Sequence, residues 1–158
     1  MGKTSLFKCK YPEEGLEYLE YDEKPLAYIL RSTYKNKGIS FFTPGTFSQQ
    51  LGYMNRSKGY DIPPHDHNPV ARTVEWTQET LFVRSGKVRL DLYAPKSREY
   101  IDSRILNQGD IVLLAHGGHG FHMLEDSEMV EVKQGPYAGD KDKTRFSPSD
   151  GPAKKDVE

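Results

Sequence analysis

The clearest pattern in the chain is an alternation of charged and apolar positions at residues 87–93, Lys-Val-Arg-Leu-Asp-Leu-Tyr. A period of two places Val88, Leu90 and Leu92 on one face of a strand, predicting one face in a core and one in water. Residues 79–84 form a second run before Ser85-Gly86, so the two predict a hairpin about that turn. Residues 111–114, Ile-Val-Leu-Leu, are too short for a helix and suit a buried strand. Further strands are expected at 27–32, 39–43, 49–55, 60–67, 100–106, from about His119, and at 128–133, with a loop over 68–76. The strand at 60–67 should be irregular or at an edge, because Pro63 and Pro64 donate no ladder hydrogen bond. Short strands punctuated by Gly and Pro point to an all-β barrel or sandwich.

Residues 1–26 show no sustained period and are interrupted by Pro12, Gly15 and Pro25, which predicts an irregular N-terminal arm. Residues 27–138 form the expected domain, and 139–158 a polar tail that from Ser147 onward has a disordered composition. With 158 residues the chain has a one-domain length. A net charge of -1, from 22 basic and 23 acidic residues, gives no field favouring nucleic acid or an anionic membrane. Neither a secretory leader nor an apolar run of spanning length is present, so a soluble cytoplasmic protein is expected. Cys9 is the single cysteine, which excludes an internal disulfide and a Cys-based zinc site.

All five histidines fall in two segments, His65-Asp66-His67 and residues 115–122 with His116, His119 and His122. On a strand, His65 and His67 point to the same side and offer two imidazoles to one point, which is half of a metal site. The other reading of such a pair is two solvent-facing polar residues.

The order of parts resembles the cupin family. Gly59 is followed by five residues and His65-Asp66-His67, and Glu79 by six residues and Gly86, as in the first cupin motif. Eleven residues separate His67 from Glu79, more than the family's usual gap. The second motif is approached by Gly109, five residues, Ala115-His116-Gly117-Gly118 and His119, with Ala115 in the proline position and the histidine one residue early. The resemblance implies a single double-stranded β-helix, or jelly-roll, barrel holding one divalent transition metal (Fe, Mn, Ni or Zn) on His65, His67, Glu79 and His119.

Glu79 opens a strand whose Leu81 and Val83 would also face inward, so its carboxylate can reach an interior. Glu75 is the lesser candidate for the carboxylate. His116 is expected at the mouth, and His122 outward. Open coordination positions would permit isomerase, epimerase or dioxygenase chemistry on a small polar metabolite. A non-catalytic metal- or ligand-binding module and a metal-free sugar-nucleotide epimerase are the alternatives. Tyr53, Arg72, Gln78 and Lys133 are candidate substrate contacts, with Arg56 and Arg145 further anchors for an anion. The insertion at 68–76 is expected to wall the mouth, with residues 133–140 packed against it. A homodimer is expected from exposed sheet edges and the Tyr-rich arm.

Overall fold

The computed structural model describes residues 7–148. Its strands are β1 (Phe7–Glu13), β2 (Leu16–Tyr21), β3 (Lys24–Leu30), β4 (Gly38–Phe41), β5 (Gly52–Asn55), β6 (Glu79–Ser85), β7 (Lys87–Tyr93), β8 (Tyr100–Asn107), β9 (Ile111–Leu114), β10 (Gly118–Met123) and β11 (Glu128–Lys133), followed by a short 3₁₀ turn at Gly139–Lys141. The large sheet has the order β1-β2-β3-β9-β6-β11, the small sheet β10-β7-β8, and β4-β5 is a two-stranded ribbon. All pairings among the described residues are antiparallel. The architecture is all-β, and none of these sheets closes on itself into a barrel. Among the described residues no helix is long and apolar enough to cross a membrane.

Two layers share one core. Leu19, Ala27, Ile29, Leu81, Val83 and Val112 of the large sheet meet Val88, Leu90, Leu92 and Leu106 of the small one. The other face of the large sheet is covered too: Leu16, Tyr28, Leu30 and Leu113 pack under Tyr34, Phe42, Phe47, Leu51 and Tyr53. Burial on both faces explains why β3 and β9 are continuous apolar runs rather than alternating ones.

Four expectations are corrected. From Phe7 onward the supposed arm is two ordered strands, β1 and β2. Its pattern is hidden because β2 buries two carboxylates, Glu17 and Glu20, beside its leucines. Each has cationic partners: Arg31 Nε donates to Glu17 Oε1 at 2.6 Å, Arg104 Nε to Glu17 Oε2 at 3.0 Å, and Lys10 Nζ to Glu20 Oε2 at 2.9 Å. Such pairing offsets the cost of burying charge.

The runs flanking Gly86 are strands, as expected, but not a hairpin: β6 pairs with β9 and β11, and β7 with β8 and β10. Gly86 is a corner between layers, at φ 81°, where a Cβ would stand 2.3 Å from the Asp126 carbonyl oxygen. The two apolar faces pack face to face, which the same turn signal serves equally well.

Nor is the second face of β7 wet. Arg89 and Asp91 are buried there as a pair, Nε to Oδ1 at 2.9 Å, with Ser103 Oγ donating to the same oxygen at 2.5 Å. Finally, residues 60–67 form no strand and are exposed, as is nearly all of the segment from 56 to 77. With Pro63 and Pro64 in it, that stretch lacks the donors to join a sheet edge. Residues 139–148 of the tail are described and mostly exposed, with Asp142 bonded to Lys133 and Phe146 packed on Tyr93; 149–158 lie outside the described residues.

The corners sort by end. Gly86 and the Asn107–Asp110 turn close one end of the sandwich, where Val83 N donates to the Asp110 carbonyl and Gly109 N to that of Val83. At the opposite end, residues 115–117 cross from β9 to β10, and the segment before β6 enters.

Candidate functional site

Glu79 is the first residue of β6, opposite Leu114 of β9 and Lys133 of β11. His119 is the second residue of β10, opposite Leu92 of β7. They belong to different sheets, and their side chains meet between the layers, with His119 Nε2 3.1 Å from Glu79 Oε2. The hydrogen bond from His119 holds the Glu79 carboxyl below its ordinary range; burial opposes this, and the positive charges of Lys133 and Lys143 assist it. The ring of Phe121 lies 5.8 Å from that of His119. Glu79 and His119 line a cavity of about 890 Å³ together with Phe121, Glu131, Lys143 and Phe146.

The C-terminal segment forms one wall of this cavity. Asp142 accepts from Lys133 Nζ at 3.1 Å and from Thr77 Oγ1 at 3.4 Å. Phe146 packs edge-on against Tyr93 at 5.3 Å, and a Cβ at Gly118 would come within 3.0 Å of its ring. The end of the insertion forms a neighbouring wall: Trp76 sits edge-on to His116, ring centres 4.5 Å apart. Burial pushes the His116 imidazole down, helped by nearby Lys24 and Lys96. Gln134 N donates to the Gln78 carbonyl at 2.9 Å, joining the exit from β11 to the end of the insertion.

The other sequence candidates are placed differently. His65 and His67 stand on the exposed segment, ring centres 5.3 Å apart, with His65 Nδ1 3.0 Å from the Pro63 carbonyl oxygen. Glu75 is exposed and lines the cavity, and His122 is exposed on β10. Tyr53 packs on Tyr34 at 4.9 Å, on the far face of the large sheet. Gln78 is buried, its Oε1 accepting from Ser48 Oγ and Gln49 N, both at 3.0 Å. Arg72 is exposed and donates to the Val70 carbonyl at 3.3 Å. Arg56 lies over the Tyr60 ring at 4.5 Å, whereas Arg145 lines the Glu79–His119 cavity. Of the four substrate candidates, only Lys133 stands by Glu79, as its strand partner.

A carboxylate and an imidazole are suitable ligands for the metals named above. Two donors each ~2.1 Å from one ion, at right angles to each other, are about 3.0 Å apart, so the Glu79–His119 separation fits a shared ion. The structure brings together half of the four-ligand set; among the described residues no three His, Cys, Asp or Glu side chains gather around one point. Lys143, Phe146 and Tyr93 were not anticipated as neighbours of the site. For the first two, the polar composition of the tail concealed an ordered wall.

Comparison with protein-family models, with curated proteins and with solved structures finds no match for this chain.

Proposed function

We propose that the chain is a cupin-type, metal-dependent enzyme acting on a small polar metabolite, with Glu79 and His119 at the centre of its site. The observation that carries this reading is the meeting of these two side chains across the layers, in a cavity, at 3.1 Å. The double-stranded β-helix is the corresponding reading of the fold, supported by the two facing antiparallel sheets and by the residues that resemble the two cupin motifs. Glu79, His119, His65 and His67 would hold the ion, which supplies Lewis acidity, a lowered pKa for bound water or redox chemistry according to its identity. Isomerase or epimerase chemistry and dioxygenase chemistry are the two reactions such a centre serves.

The chain's own residues have separable tasks. Glu79 carries the negative charge that neutral imidazoles lack, and its depressed pKa keeps it ionised at neutral pH. His119 presents Nε2 to it. Phe121 stands beside the His119 ring, and Phe146 lines the same cavity. Lys133, held by Asp142, adds positive charge beside Glu79.

The 3.1 Å contact also supports a second reading, in which the pair works without metal. Glu79 would then orient the imidazole, and His119 would move a proton to or from substrate. Elemental analysis of the purified parent beside Glu79→Gln, His119→Ala and His67→Ala distinguishes the two. The metal reading expects about one equivalent of a transition metal in the parent and its loss in all three variants. A parent without metal after reconstitution, or full retention by Glu79→Gln and His119→Ala, overturns it.

A further inference from the structure

A second cavity, of about 610 Å³, adjoins the Glu79–His119 pair, and His119 lines both. Its charged rim comes from three places distant in sequence. Lys24 follows the β2–β3 turn, Lys96 and Arg98 lie in the β7–β8 connection, and Glu75 is at the end of the insertion. None of the three cations is in an ion pair among the described residues; Arg98 lies over the Phe146 ring, 5.2 Å from its centre.

We propose that this cavity binds the phosphate group of a small phosphorylated metabolite, at Lys24, Lys96 and Arg98, with the body of the molecule lying along Trp76 toward His119. Three cations against the single carboxylate of Glu75 leave a surplus of two positive charges. That surplus matches a phosphate monoester, which carries about −1.5 to −2 at neutral pH, better than a carboxylate monoanion. Burial keeps His116 uncharged, so it adds nothing to the surplus and serves with Trp76 as an apolar wall.

The backbone supports preorganisation. Lys96 and Arg98 both adopt left-handed conformations, φ 67° and 61°, and so do Asp22 and Glu23 in the turn that precedes Lys24, φ 51° and 60°. Non-glycine residues take up this region at a cost; at Asp22 and Glu23 the two-residue hairpin turn between Tyr21 and Lys24 requires it. Hydrogen bonds from Arg98 N to the Ala94 carbonyl and from Ala94 N to that of Glu99 close the connection on itself. Both cations therefore leave a turn of defined shape rather than a free loop.

The inference deepens the proposed function and rests on its placing of the reacting end at His119. Trp76 is the only tryptophan and borders both this cavity and the Glu79–His119 cavity, so its emission reports binding at either and the Lys96→Ala/Arg98→Ala variant assigns it to this one. The test is titration of the full chain with inorganic phosphate and with glucose 6-phosphate, with glucose as control, repeated on Lys96→Ala/Arg98→Ala and on Lys87→Ala. The expected result is a saturable change with the phosphate-bearing probes and none with glucose. It should weaken about tenfold or more in the double variant and stay unchanged in Lys87→Ala.

Absence of a saturable response to either phosphate probe, an equal response to glucose, or parent-like affinity in the double variant would overturn the proposal. Lys96 and Arg98 are exposed, and an unchanged melting temperature verifies folding of each variant. The two proposals fail separately. A parent that binds phosphate but holds no metal loses the metal reading alone, and a parent that holds metal but gives no saturable phosphate response loses the phosphate reading alone.

Discussion

Replacing Asp110 by alanine removes the fastening at the closed end of the sandwich. The side chain is 3% exposed and accepts three hydrogen bonds: Ser32 N to Oδ1 at 2.8 Å, Asn107 N to Oδ2 at 2.9 Å, and Arg31 Nη1 to Oδ2 at 2.8 Å. It therefore ties the end of β3 and the β8–β9 corner to one guanidinium. Arg31 in turn reaches the Ile105 carbonyl at 2.6 Å and Glu17, which also receives Arg104. Alanine leaves two backbone N–H groups without this acceptor and the guanidinium with one carboxylate instead of two.

Hydrogen bonds to a charged group are worth about 1.5–3 kcal/mol each and do not add. Breaking a buried pair from one side costs roughly 3–5 kcal/mol. Arg31 is 21% exposed and keeps Glu17, which puts the expected loss near the lower end, about 3 kcal/mol. With a urea m-value of about 2 kcal/mol/M, the unfolding midpoint falls by roughly 1.5 M at unchanged m. Asp110→Asn retains the shape and one acceptor oxygen and should lose about half as much. Arg31→Met in the same background should show coupling of about 1–3 kcal/mol in a double-mutant cycle. Arg84→Ala, which removes an exposed 3.5 Å contact to Glu128, is the control and should leave the midpoint in place. A loss below about 1 kcal/mol for Asp110→Ala, or strict additivity with Arg31→Met, would refute the assignment of this group as the fastening.

Two further outcomes are expected. Gly86→Ala combines a left-handed φ with a Cβ 2.3 Å from a backbone oxygen; it should cost more than about 2 kcal/mol and lower the melting temperature by upwards of ~5 °C, and a parent-like melting curve would contradict the corner geometry. Addition of Mn²⁺ or Zn²⁺ should slow tryptic cleavage after Lys58 and Arg72 in the parent and not in Glu79→Gln, because His65 and His67 lie on that exposed segment; equal cleavage of both proteins with and without metal would separate those histidines from the site.

Regular periodicity was the most legible part of the chain. The extents of β6, β7, β8 and β11 follow from their patterns and turn residues, because a strand shows its period wherever one face is buried and the other carries a different kind of residue; β9 follows from an apolar run too short for a helix. Glu79 was recognisable by the same means: Leu81 and Val83, two and four residues on, are buried, and the carboxylate shares their face. β1 and β2 were not legible. Their inner positions include Glu17, whose burial becomes tolerable only when Arg31 and Arg104 arrive from β3 and β8.

Pairing was decided by tertiary structure alone. Whether Gly86 joins two neighbours in one sheet or two strands in facing sheets depends on what else packs against it, here the 126–127 turn, which donates no signal to the local sequence. The same holds for the site. The chain shows a carboxylate and a histidine forty residues apart, but only the facing of β6 and β10 puts them 3.1 Å from each other. Likewise Lys24 stands more than seventy residues from Lys96 and Arg98 in the chain and shares a rim with them because their turns meet at one end of the sandwich. Local sequence determines which backbone can be a strand and which face is apolar, since those depend on near neighbours; long-range contacts determine which faces meet, and with them which charges become a site.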